Sequence, residues 1–140
     1  MADLLDNRAA TDLAVLLARV VSALRTMPAG KLAGRLPGPT PTRADAGRLL
    51  ARALAVAAQG IDAAGEPRAP SWRPLPEVGD LVVGDQVNVL AHDLRIALSE
   101  LAAGGSGGGS VTVWTPDGRA PLADVLRDVA ATAEEVQRLL

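Results

Sequence analysis

From Asp85 to Ala103 apolar side chains return at three- and four-residue steps: Val87, Leu90, Leu94, Ala97, Leu98 and Leu101. That period places them on one stripe of an α-helix, with Asp85, Asn88, His92, Asp93, Arg95, Ser99 and Glu100 on the other face. Three other stretches repeat the pattern. Over residues 3–26 the stripe is Leu13, Leu16, Leu17, Val20, Val21 and Leu24. Asp3 and Asp6 at its start and Arg25 at its end suit the helix dipole, and Pro28 and Gly30 stop it. Over residues 43–64 the stripe is Ala46, Leu49, Leu50, Ala53, Leu54, Ala57 and Ile61. Thr42 is placed to cap this second helix, with Asp45 three residues on; Gly60 weakens it and Gly65 ends it. A fourth stripe over residues 120–140 holds Leu122, Val125, Leu126, Val129, Ala133, Val136 and Leu140, with Pro121 suited to the first turn.

Four amphipathic segments of similar length predict an all-α protein, a single domain over residues 1–140 with helices at 3–26, 43–64, 84–103 and 120–140. The arrangement that buries all four stripes most simply is a four-helix bundle running up-down-up-down. Residues 28–41 are rich in Pro and Gly, which precludes regular structure beyond about one turn. Residues 66–79 carry four prolines around Trp72. Asp80–Val83 starts the third helix early or forms an extended lead-in to it. Val111–Trp114 reads as a brief extended segment, and Thr115-Pro116-Asp117-Gly118 is a turn signal. Thr40–Asp45 and Thr115–Ala120 resemble each other, and the likeness suggests two helical hairpins.

Between the last two helices lies Gly104-Gly105-Ser106-Gly107-Gly108-Gly109-Ser110. So regular a Gly/Ser run behaves as random coil, spanning on the order of 15 Å and at most about 24 Å. It reads as an engineered linker. In one history it replaces an excised loop between helices of one protein; in the other it fuses residues 111–140, a partner segment, to a three-helix receptor. Four matched stripes favour the first.

Composition narrows the class. Nearly half the residues are apolar, yet Phe and Tyr are absent and Trp72 and Trp114 are the only aromatic residues, so Leu, Val and Ala must fill the core. Heavy use of Ala, Arg, Gly, Pro, Leu and Val fits a genome rich in G and C, and a bacterial source is expected. Without cysteine there is no disulfide, thiolate nucleophile or cysteine metal site. The acidic opening Met1–Asp6 is unlike a secretory signal, and no run of about 18 uncharged apolar residues occurs. A soluble, cytoplasmic protein without membrane insertion is expected.

The net charge of −2 hides an uneven distribution. Residues 19–52 hold Arg19, Arg25, Lys31, Arg35, Arg43, Arg48 and Arg52 against Asp45 alone, whereas residues 53–103 are acidic on balance. Lys31, Arg35, Arg43, Arg48 and Arg52 are therefore candidate binding residues for an acidic protein partner, unless the charges pair inside the bundle. No aromatic residue interleaves them to stack bases, so nucleic acid is not expected. Trp72 either covers an open end of the core from an ordered loop or acts as an exposed anchor beside the bare Pro67-x-x-Pro70 spacing.

Chemical motifs are few. Ala91-His92-Asp93-Leu94-Arg95-Ile96-Ala97-Leu98 resembles the phosphoacceptor H-box of histidine kinases, with Ile96 and Ala97 standing where Thr and Pro are expected. The resemblance implies phosphoryl transfer to His92, with Asp93 orienting or deprotonating the imidazole. Val89 occupies the place of the Glu in a bundle metal motif, and the glycine run lacks the Lys of a phosphate loop, so neither metal nor cofactor is expected. The sequence thus favours a non-catalytic protein–protein interaction or scaffold module. Its alternatives are a histidine phosphotransfer or dimerisation module using His92 and a bundle that binds a small molecule. Self-association stays open.

Overall fold

The computed structural model describes residues 2–104 and 111–140, with side chains from Arg8 onward; the expected engineered linker falls largely on residues 105–110, outside that range. The chain is mostly helical. In order it forms α1 (Ala2–Thr26), α2 (Ala29–Leu32), α3 (Arg43–Asp62), α4 (Val83–Ala103), a hairpin of β1 (Thr112–Thr115) and β2 (Gly118–Pro121), and α5 (Leu122–Leu139). A 3-10 turn over Asp80–Val82 leads into α4.

Local chemistry accounts for the ends. Thr42 caps α3 by accepting the Asp45 backbone N–H at 3.1 Å, while its hydroxyl donates to the Asp45 carboxylate at 2.9 Å. Asp is shorter than the Glu of a full capping box, and its carboxylate engages the Thr hydroxyl. Helix α3 ends at Asp62, two residues before the expected stop, in turns closed by Ala64 N–H to Ile61 and Glu66 N–H to Ala63. The Pro/Gly connection holds the single turn α2, whose Leu32 is buried.

A short β-hairpin precedes α5. The expected extended segment pairs with the residues beyond the turn, in the register Thr112↔Pro121, Val113↔Ala120, Trp114↔Arg119 and Thr115↔Gly118. Thr115 Oγ1 closes the bend by accepting from Asp117 N–H and donating to the Gly118 carbonyl. Gly118, at φ 119°, takes the backbone conformation that other residues avoid. Pro121 therefore ends a strand and precedes α5.

Packing overturns the up-down-up-down order. The principal helix pairs are α1 with α4, α1 with α5, α3 with α4 and α3 with α5. The end of α1 meets the start of α4, where Arg25 Nε lies 2.9 Å from Asp85, so these two are antiparallel. A Cβ on Gly47 near the start of α3 would lie 2.6 Å from Val83 at the start of α4, and the far halves of both helices line one cleft. Helices α3 and α4 therefore run the same way. The hairpin sits on the last turn of α3, and from there α5 runs back along it. The order is up-down-down-up.

Two parallel neighbours need a long return connection. Helix α3, at 20 residues, is about 30 Å long. Residues 63–79 retrace that distance as a strap without regular structure. Arg73 N–H donates to Gln59 Oε1 at 2.7 Å, the Pro76 carbonyl accepts from Gln86 Nε2 at 3.0 Å, and the Val78 carbonyl accepts from Arg48 at 2.9 Å. The prolines suit this path because an extended strap bonded through side chains has few donors to satisfy.

The core is aliphatic, built around Val20, Leu24, Leu50, Leu54, Val83, Val87, Leu94, Val113 and Val136. Leu49, assigned to the core stripe by its spacing, is instead 46% exposed. Helix α3 packs on α4, α5 and the strap, and its one outward strip carries Leu49 and Arg52. Leu49→Ser is accordingly expected to change stability by no more than about 0.5 kcal/mol in urea unfolding.

Candidate functional site

The five basic candidates differ in how far the fold engages them. Arg48 is committed to the fold: its guanidinium bonds Asp45 at 2.9 Å, Asp80 at 2.8 Å and the Val78 carbonyl at 2.9 Å. The bond to Asp80 raises its pKa above the ordinary arginine value, against the opposing effect of desolvation, with Asp45 adding to the rise. By its own titration, therefore, Arg48 contributes to folding throughout the range below the ordinary arginine pKa and loses that contribution in strong alkali. Of the two acids, Asp45 sits in the first turn of α3, where the dipole favours it.

Arg43 is also drawn into the structure. It is half-buried beneath α2, where Nη1 donates to the Lys31 carbonyl at 3.4 Å. Its buried Nε has no hydrogen-bond partner among the described residues. Lys31, Arg35 and Arg52 are exposed and make no ion pair among the described residues. Trp72 is half-buried, with its ring beside Gly60 of α3, and packs as part of the strap.

The hairpin shows a second set of side chains tied to the end of α3. Trp114 Nε1 donates to the Glu66 carbonyl at 3.1 Å, and Arg119 donates to the Ala64 and Glu66 carbonyls at 3.0 and 2.7 Å. The Arg119 guanidinium lies 4.4 Å from the Trp114 ring centroid, a cation–π stack. Together they satisfy two carbonyls of the turns that follow α3.

His92 and Asp93 part company on α4. Adjacent residues on a helix are turned about 100° apart. His92 lines a groove between α1 and α4, while Asp93 lines a cleft between α3 and α4. The imidazole is exposed, and its Nδ1 lies 3.0 Å from Arg95 Nη2. Arginine can only donate, so Nδ1 accepts and the neutral ring carries its proton on Nε2. No hydrogen bond joins Asp93 to His92 among the described residues, so the base role implied by the H-box has no contact behind it here.

The α1/α4 groove is the feature the sequence reading missed. Ala14, Ala18, Leu17 and Val21 form one wall, and Val89, His92, Arg95 and Leu98 the other, around an open volume of about 820 Å³. Small side chains on α1 leave it wide. Ala10, Ala14 and Ala18 fall at four-residue steps beside the core stripe, and Val89 and Ile96 interrupt the polar face of α4. Those departures from strict amphipathicity were the available signal.

Among the described residues no group of three or more His, Asp or Glu could hold a metal ion. No helix among them is long and apolar enough to cross a membrane. No family model matches the chain, and no curated protein or solved structure matches it.

Proposed function

We propose that the chain is a non-catalytic protein–protein interaction module, a bacterial helical bundle acting in the cytoplasm, and that it docks a partner in the α1/α4 groove. The observation that carries this reading is the groove's lining. It is aliphatic along its length, with Thr11, Asn88 and Ser99 at intervals and Arg95 as its permanently charged group. Such a surface suits an amphipathic helix laid between two others, with apolar side chains entering at three- and four-residue steps. The Arg95 guanidinium favours a partner with a carboxylate at that edge.

The test is comparative capture. Ala18→Glu places a charge in the groove from an exposed position, so folding by circular dichroism and melting should be unchanged. A partner taken up from source-cell extract by the parent chain should be lost by this variant and retained by Leu49→Ser. Capture of the same partner by both variants and the parent would remove the groove from the reading.

A second reading, histidine phosphotransfer, is supported by one observation. Exposed His92 uses Nδ1 for Arg95, and Nε2 has no partner among the described residues. Acid-labile phosphate on His92 after incubation with acetyl phosphate or a phosphorylated response regulator would select this alternative.

A further inference from the structure

The outer face of α4 carries a seam that the monomer leaves bare. Val82, Val89 and Ile96 recur every seven residues and are 47%, 58% and 43% exposed. Val82 closes the 3-10 turn that leads into α4 and Val89 and Ile96 lie on α4 itself, all away from its core positions Val83, Val87, Leu94 and Ala97. A seven-residue apolar spacing keeps a seam facing a second helix rather than winding around its own.

We infer that a second copy of this chain covers that seam, with the two α4 helices parallel and in register. The charges beside the seam choose both occupant and direction. One edge, turned toward α1, holds Asn88, His92 and Arg95; the other, turned toward α3, holds Asp93 and Glu100. An antiparallel pair brings each edge against its own copy, arginine beside arginine and Asp93 beside the partner's Asp93. A parallel pair brings opposite edges together. There the position preceding the apolar column faces the one five residues later on the partner, which sets Arg95 against the partner's Glu100 and Asn88 against the partner's Asp93.

Two further features fit a parallel pair. β-Branched Val and Ile at the first position of each heptad are residues that parallel pairs accept there. Asp85, His92 and Ser99 occupy the second position, which weakens the pair, yet Asp85 has its counter-charge within the chain in Arg25. Arg95 gives one donor to His92 and keeps others for a carboxylate. The result is a reversible, concentration-dependent dimer; it shares Val89, His92 and Arg95 with the α1/α4 groove, so a partner in that groove and a second copy on the seam exclude one another.

Sedimentation velocity of the full chain from micromolar to millimolar concentration tests this. A monomer–dimer equilibrium is expected, with the dissociation constant raised about tenfold or more by Ile96→Glu and unaffected by Ala18→Glu. Both sites are exposed, so melting curves should match the parent. Arg95→Glu and Glu100→Lys should each weaken the dimer, and the double variant should recover most of the loss. A monomer at every concentration would overturn the inference. So would a dimer broken by Ala18→Glu but not Ile96→Glu, or a double variant no better than either single one.

Discussion

Gly60→Ala is expected to destabilise the protein by about 3 kcal/mol or more, a large share of the roughly 5–15 kcal/mol that holds a domain of this kind folded. By helix propensity alone the same change should stabilise an interior turn by about 1 kcal/mol, so the sign of the effect decides the matter. Gly60 lies in the last turn of α3, where a Cβ would run into the Trp114 carbonyl group of β1. A side chain there could rotate away; the backbone of a strand held on either side of Trp114 by its register cannot. Relief would require lifting β1, and with it the Trp114 and Arg119 bonds to the end of α3. Urea unfolding of Gly60→Ala beside Gly65→Ala makes the comparison, because a Cβ on Gly65 meets nothing within 4 Å. If Gly60→Ala proved as stable as its parent, the hairpin would not be seated on α3.

Arg48→Ala is expected to cost about 1–3 kcal/mol, the range for removing hydrogen bonds to charged groups. The side chain is 31% exposed, so solvent screens its ion pairs and the lower half of that range applies. The loss should concentrate in the strap, since Arg48 alone bridges α3 to both the Val78 carbonyl and Asp80. Hydrogen exchange should quicken at Val82, whose amide bonds the Gly79 carbonyl in the adjoining turn, before it quickens in the middle of α3. Arg48→Lys keeps the charge but not the planar fork, and should recover only part of the loss. A variant with parent stability would mean that the strap is held by Leu75 and Val78 packing instead.

Much of the helical content was legible because burial imposes a 3.6-residue period whatever the final neighbours. The stripes of α1, α4 and α5 lie in or against the core as their spacing implied. Helix order was not legible, since a stripe of Leu, Val and Ala looks the same against either neighbour. One clue was present: residues 63–79 are longer than a turn between antiparallel neighbours requires. Gly60 read as a weakness because the backbone that needs its missing side chain comes much later in the chain. Arg48 read as part of a basic patch for the same reason, its partner Asp80 belonging to a loop whose course only tertiary structure reveals. Among candidate site residues, Arg43, Arg48 and Trp72 make contacts within the fold that the sequence did not reveal. The groove on α1 was obscured because alanines suit core and surface alike.

The up-down-down-up order also bears on how quickly the chain can fold. Helices consecutive in sequence, α1 with α3 and α4 with α5, sit diagonally, so neither pair can zip together as a local hairpin. Every principal helix pair except α3 with α4 joins segments separated by at least one other long helix. Such distant closures must be made before much apolar surface is buried, and this topology is expected to refold more slowly than a sequential bundle of the same length.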